Sequence, residues 1–330
     1  EAFKLKEFLP GQFEAIRDIL NSDKHKICIM PTGSGKSIIY YFLSLLQPNP
    51  TMVLAPTKLL IRDQVHILKN KHEIDDIQIL EEFSDHSDFD PKNKFIFLTP
   101  LTFISSNLIN KVIQLNNNHQ LSNFILDEVH CISNWSHDFR PEYLMISYNL
   151  RNFVDRTRSI GFTATANYTV VKDLVSQLNL NNDGKDIIVP IELKKEHHFS
   201  FLEYQSNEEC MTGIDREIND FVNTDVLKNN HQLLVFTKDI MWSKLIRDNL
   251  REELKHQVEV FSSANRDSYQ DFASNRYKVL LGDSEVGIGI NLPGVTNTIH
   301  FGKTKKKSQF IQEVGRAGRD GSKAMSKVIF

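Results

Sequence analysis

The segment Gly33-Ser34-Gly35-Lys36-Ser37 constrains this chain more than any other. It follows a short apolar strand candidate, Ile27-Cys28-Ile29-Met30, and precedes an apolar helical run over residues 38–46. Glycines before lysine and serine at a strand-to-helix junction let backbone N–H groups approach a phosphate closely, with the positive helix end aimed at it. The strict form G-x-x-x-x-G-K-[ST] would need glycine at position 30, where this chain has Met30 followed by Pro31. The context still predicts a phosphate-binding loop over Thr32, Gly33, Ser34, Gly35, Lys36 and Ser37. Lys36 is expected on the β- and γ-phosphates, and the Ser37 hydroxyl on Mg2+.

A strand that feeds such a loop belongs to a parallel sheet, and the rest of the chain agrees. Short β-branched runs recur at 51–55, 95–98, 124–126 and 159–162, with helical-period segments between them. After Pro190 a polar segment, Glu192-Leu193-Lys194-Lys195-Glu196-His197-His198, interrupts the pattern, and a second series follows at 199–204, 233–236, 258–261, 278–281, 298–301 and 328–330. The 330 residues suffice for two domains of roughly 150 residues each. The expected fold is therefore α/β, two tandem domains each built on a mainly parallel sheet flanked by helices. Residues 1–192 form the first and 193–330 the second, joined by a linker near 191–198 in which His197 and His198 face solvent. Only the first half carries a phosphate loop, so a nucleotide is expected in a cleft between the halves.

Charge and cysteine usage narrow the possible partners. A formal net charge of −3 gives no global field for a polyanion, so nucleic acid would have to be held by local positive patches. Cys28, Cys131 and Cys210 lie far apart with no C-x-x-C spacing, which predicts reduced thiols rather than a disulfide framework or a cysteine-rich zinc site. No apolar stretch approaches the ~20 residues of a membrane span, and no signal segment is visible, so a soluble, intracellular protein is expected.

Hydrolysis of a bound nucleotide needs carboxylates, and Phe124-Ile125-Leu126-Asp127-Glu128 offers a pair at a strand end. Asp127 is the metal candidate. Glu128 is the candidate for orienting and deprotonating the attacking water.

These residues bring out a family resemblance. Asp127-Glu128-Val129-His130 resembles the DExH box of superfamily-2 helicases, and Cys131 through Tyr143, with Trp135, His137, Phe139 and Arg140, resembles the aromatic-rich loop of RecQ-type DNA helicases. Phe8-Leu9-Pro10-Gly11-Gln12 resembles the Q-motif, Ala55-Pro56-Thr57-Lys58 running on to Asp63-Gln64-Val65 motif Ia, and Gly161-Phe162-Thr163-Ala164-Thr165-Ala166 motif III. Leu234-Val235-Phe236-Thr237, Val286-Gly287-Ile288-Gly289-Ile290-Asn291 and Gln312 through Gly321 resemble motifs IV, V and VI.

The resemblance implies two RecA-like domains forming an ATP- and Mg2+-dependent DNA helicase motor that tracks single-stranded DNA from 3′ to 5′. Tailed or forked DNA would be its substrate, and it would act as a monomeric motor core. Its location would be the nucleus if eukaryotic, the cytoplasm or nucleoid if bacterial. Gln12 would read adenine and Gln312 would belong to the catalytic set, while Arg316 and Arg319, three residues apart on one helix face, would act as fingers against the γ-phosphate. The Trp135–Arg140 stretch and His130 would couple strand binding to hydrolysis. Thr57, Lys58, Thr99, Thr163, Thr165, Thr237, Gly289 and Asn291 would contact or sense the strand. Two other readings stay open: a nucleic-acid-stimulated translocase or RNA helicase with weak unwinding, and an ATP-gated DNA-binding scaffold. The zinc-binding and winged-helix modules of the family have no counterpart in these residues, so weak duplex separation is an expectation.

Overall fold

Every strand pairing among the described residues is parallel. Parallel strands require long crossovers, and the helices that supply them cover the sheet faces. That is why the central strands read as unbroken apolar runs rather than as alternation. The computed structural model describes residues 3, 7–31, 33–80, 90, 92–104, 106–134, 141–150, 157–164, 166, 168–181, 184–190, 197–224, 231–261, 267–283, 286, 292, 294–302, 307–318 and 322–330. The chain divides into two compact units, Glu1–Leu193 and Lys194–Phe330.

The first unit holds β1 (Lys26–Ile29), β2 (Thr51–Leu54), β3 (Ile77–Ile79), β4 (Phe95–Leu98), β5 (Asn123–Leu126), β6 (Arg158–Thr163) and β7 (Ile187–Ile188). They form one sheet in the order β3-β4-β2-β5-β6-β1-β7. β6 therefore lies between β1, which feeds the phosphate loop, and β5, which ends at the acidic pair. Such a crossing of strand order opens a crevice beyond the carboxyl ends, where open α/β sheets bind ligands. The sheet has a core on each face. Phe103 and Phe124 anchor one side; Tyr40, Tyr41, Phe95 and Phe162 anchor the other. Two edge strands, β3 and β7, have no counterpart in the expected pattern. Three and two residues long, they are too short to show a period.

The second unit holds β8 (His197–Leu202), β9 (Gln232–Phe236), β10 (Val258–Val260), β11 (Val279–Gly282), β12 (Val295–Phe301) and β13 (Ala324–Ile329), in the order β10-β11-β9-β12-β13-β8. Ile214, Ile218 and Phe221 of the helix Asn207–Thr224 pack on Leu233, Val235 and Leu281 of the sheet. The expected solvent role of His197 is corrected here. It begins edge strand β8, stacks on Phe199 with ring centroids 4.5 Å apart, and its Nε2 meets the Ser326 hydroxyl at 2.7 Å. His198 is exposed. Residues 191–196 of the expected linker lie outside the described residues. No helix among the described residues is long and apolar enough to cross a membrane.

Candidate active site

The phosphate loop is shaped by its glycines and by Gln12. Gly35 has φ 71°, and a Cβ added there would stand 2.4 Å from Gln12 Nε2. A side chain would clash and strain the backbone, so glycine is required. The helix Lys36–Leu46 starts at the next residue. Gln12 is buried, and its Nε2 donates to the carbonyls of Ser34 (2.9 Å) and Gly35 (3.1 Å) while its Oε1 accepts from Leu9 N–H (2.9 Å). The amide expected to read adenine is engaged with the loop itself. Lys36 Nζ donates to the carbonyls of Met30 (3.3 Å) and Pro31 (3.4 Å), and Ser34 Oγ donates to Pro31 (2.7 Å). Lysine and loop thus form one preassembled turn, with the Ser37 hydroxyl on the first turn of the helix.

The acidic turn is built more tightly. Glu128 has φ 50°, a left-handed conformation that costs a residue with a side chain on the order of 1–3 kcal/mol. The turn is held from several sides. Asp127 N–H donates to Leu54 (2.9 Å), Glu128 N–H to Asp127 Oδ1 (3.0 Å), and Val129 N–H to Phe162 of β6 (2.8 Å). Val129 can lie this close to β6 because residue 161 is glycine. A Cβ there would come within 2.9 Å of Val129 Cγ2.

His130 is buried, with Nδ1 2.9 Å from Thr163 Oγ1 and 3.3 Å from Glu128 Oε2. Burial, the largest influence, works against its charge, but Cys131 and the Glu128 carboxylate outweigh it and lift His130 to about 10. Asp127 moves to about 6, first because it is buried and then because Glu128 is beside it; Lys36 pulls it back, as do hydrogen bonds from Gln64 and from the Glu128 backbone. The Asp127 carboxylate, held up by burial, and the Ser37 hydroxyl on the helix after the loop are hard oxygen donors of the kind a magnesium ion takes.

Two residues at this site have no role assigned by the motifs: Gln64 is named within motif Ia without one, and Tyr40 is not named. Gln64, on the helix Lys58–His72, donates from Nε2 to Asp127 Oδ2 at 2.6 Å, and its Oε1 accepts from the Tyr40 hydroxyl at 2.7 Å. Both are buried. The signal for Gln64 is a polar residue on the apolar stripe Leu60, Ile61, Val65 and Leu68; Tyr40 hides inside an apolar run.

On another part of the first unit, Thr57 Oγ1 caps the helix Lys58–His72 by accepting from Leu60 N–H (3.2 Å), and Thr99 Oγ1 accepts from Thr102 N–H (3.3 Å). Thr57, Lys58, Thr99, Pro100 and Glu142 border a cavity of about 240 Å³.

In the second unit the Thr237 hydroxyl is occupied by the Asp239 carbonyl (2.9 Å) and the Ser243 hydroxyl (2.7 Å). Gln312 lies on the helix Lys307–Val314, but the expected shared helix face for the arginines is corrected. The helix ends at Val314, and Arg316, buried, sits in the following turn with its N–H on the Glu313 carbonyl (3.1 Å). Gly318, with φ 65°, completes that turn. Thr32, Trp135, His137, Phe139, Arg140, Thr165, Gly289, Asn291 and Arg319 lie outside the described residues.

All three cysteines are free and buried, and burial pushes the Cys28 thiol up to about 12. Among the described residues no group of three or more His, Cys, Asp or Glu side chains could hold a metal ion.

Comparison with known proteins completes the picture. The DEAD/DEAH box helicase family matches residues 9–174, and the helicase conserved C-terminal domain matches residues 214–321. The chain is 28% identical to the ATP-dependent DNA helicase RecQ of Bacillus subtilis, over 99% of this chain and 54% of that protein. It is 29% identical to the RecQ-like DNA helicase BLM of Xenopus laevis, over 97% of this chain and 24% of that protein. The chain thus spans about half of the first relative's length and a quarter of the second's. Among solved structures, S. cerevisiae Dbp5 bound to RNA and ADP BeF3 superposes with a TM-score of 0.74 at 18% identity, over 100% of this chain and 85% of that one. At that identity the likeness speaks for the fold, which is RecA-like in both units. The RecQ resemblance read from the motifs is borne out by the relatives, and the chain belongs to the DEAD/DEAH box helicase family.

Proposed function

We propose that this chain is the ATP-hydrolysing motor of a DNA helicase, moving along single-stranded DNA from 3′ to 5′ and separating tailed or forked duplexes. The observation that carries the reading is the acidic turn of the first unit. Glu128 is held in a left-handed conformation with His130 Nδ1 3.3 Å from its carboxylate, and Asp127 lies under the influence of Lys36. A strained, over-determined carboxylate at a strand end next to a phosphate loop suits a general base better than a structural ion pair.

In this reading Gly33 to Ser37 wrap the phosphates, and Lys36 leaves its own loop carbonyls to meet them. Ser37 and Asp127 would hold Mg2+, which neutralises phosphate charge when bound. Glu128 orients the attacking water and accepts its proton, with His130 Nδ1 3.3 Å from that carboxylate. Gln12 restrains the loop. Arg316 and Arg319 take the finger role on the strength of the motif resemblance, and Gln312 accompanies them on the same grounds. Thr57, Lys58 and Thr99 border the cavity assigned to strand phosphates, whose recognition is indifferent to sequence.

ATP turnover should be measured with no nucleic acid, with single-stranded DNA and with single-stranded RNA, alongside strand displacement on 3′-tailed, 5′-tailed, forked and blunt duplexes. DNA-stimulated turnover with displacement from 3′ tails and forks is expected. Turnover stimulated by RNA alone would make the chain an RNA motor; no turnover under any condition would overturn the reading.

A further inference from the structure

We propose that Gln64 is a positioning residue that fixes the Asp127 carboxylate and links it, through one helix, to the strand-phosphate cavity at Thr57 and Lys58. The proposal rests on the functional reading above and adds the route by which strand binding reaches the nucleotide.

The amide of Gln64 is committed on both sides. Its donor faces Asp127 Oδ2 (2.6 Å) and its acceptor faces the Tyr40 hydroxyl (2.7 Å), which itself approaches Asp127 Oδ2 at 3.4 Å. Reversing the amide would set oxygen against carboxylate, so only one orientation is allowed. Tyr40 and Gln64 are 0% and 3% exposed, so water does not compete for these bonds.

Three elements meet at this amide. Tyr40 belongs to the helix that begins at Lys36, Asp127 to the turn after β5, and Gln64 to the helix Lys58–His72. That last helix starts at the cavity, where Thr57 is its cap and Lys58 its first residue. Seven residues separate Thr57 from Gln64, about 10 Å along the axis at 1.5 Å per residue. Leu60, Ile61, Val65 and Leu68 bury the same face, so this part of the helix moves as a rigid piece. A shift imposed at its first turn therefore arrives at Gln64, and Asp127 is what Gln64 holds. Gln64 is the hydrogen-bonded link between that helix and the acidic turn.

The test uses the chain with Gln64→Leu, similar in size but without hydrogen bonds, and Gln64→Asn, which keeps an amide but is one methylene too short. Two readouts are needed. The first is the affinity for a fluorescent, non-hydrolysable ATP analogue in Mg2+, with and without a thymidine oligonucleotide; by linkage, any coupling must also appear as changed oligonucleotide affinity when nucleotide is added. The second is kcat and KM for ATP with and without the oligonucleotide. Both variants should bind the oligonucleotide alone as the parent does. Their DNA stimulation of kcat should fall by about ten-fold, with KM changing less than about two-fold, and the mutual effect of the two ligands should shrink toward none. Should Gln64→Leu fail to fold, Gln64→Asn carries the same expectation. Stimulation and ligand coupling equal to the parent in a folded variant would overturn the proposal while leaving the motor reading intact. A parent chain that neither binds nucleotide nor responds to DNA would overturn both.

Discussion

Each unit sets a carboxylate against a buried imidazole, and the two pairs are built for opposite purposes. In the second unit Glu313 Oε2 meets His300 Nδ1 at 3.0 Å, with side chains 4% and 1% exposed. Every polar atom of this pair is engaged. Glu313 Oε1 accepts from Gln309 (2.8 Å), His300 Nε2 meets Thr298 Oγ1 (3.0 Å), and the chain continues through Ser326 to His197. Phe236 stacks on the ring and Phe310 meets its edge. In the first unit Glu128 and His130 stand 3.3 Å apart, the carboxylate is 16% exposed, and its backbone is left-handed. A closed network on ordinary backbone fixes three strands and a helix. A partly exposed carboxylate on strained backbone marks a group kept ready to act.

Substituting one carboxylate in each pair gives the sharpest way to break this contrast. Glu128→Gln should lower DNA-stimulated ATP turnover by about 10²–10⁴-fold, the usual worth of a general base, while nucleotide affinity stays close to the parent's and only the part of stability that Glu128 lends to His130 is lost. Glu313→Leu should do the reverse. Removing one partner from this buried hydrogen-bonded pair leaves the other unsatisfied, which costs about 1–3 kcal/mol, so urea unfolding followed in the second unit should shift to lower concentration. If Glu313→Leu proved as stable as the parent, or Glu128→Gln turned ATP over normally, the assignment of reaction to one pair and support to the other would fail.

Gly161 probes the support beneath the first pair, and a smaller effect is expected. Gly161→Ala would push a methyl within 2.9 Å of Val129 Cγ2, and overpacking of this kind costs about 1–3 kcal/mol. Because Val129 lies between Glu128 and His130, kcat should fall along with stability. Adding Val129→Ala removes the two methyls in the way and should restore part of both. No recovery in the double variant would mean that the acidic turn does not depend on this contact.

Parallel, doubly covered strands such as Phe95–Leu98 announce themselves in the sequence as apolar runs, and the turn at Gly33–Ser37 is legible because glycine, lysine and serine each have a separate physical reason to be there. Sequence reasoning did not reach features fixed by tertiary contacts alone. The engagement of Gln12 with Ser34 and Gly35, the left-handed backbone at Glu128 and the Gln64 bridge depend on elements far apart in the chain. Spacing placed Arg316 on a helix because a pair three residues apart suggests one. The glycines at 315 and 318 terminate it instead, a signal that was present in the sequence but weighed less than the spacing. His197 was given to solvent because its neighbours are charged; pairing of β8 with β13 decides otherwise.

The charge on His130 offers the gentlest test of the contrast. Its folded value of about 10 lies above the roughly 6.5 of an exposed imidazole, so the folded state binds the proton more tightly than the unfolded chain. The stabilisation this gives is fully present below about pH 6.5 and is lost as pH rises through about 10. Replacing the imidazole by His130→Asn, which retains a donor near Thr163 Oγ1, removes that proton linkage. The stability difference between parent and variant should therefore be flat below pH 6.5 and shrink steadily from pH 7 to 10 in urea unfolding. A difference that stayed constant over this range would mean that His130 is neutral when folded. The Glu128 carboxylate would then face a neutral imidazole, and the contrast between the two pairs would rest on backbone strain and exposure alone.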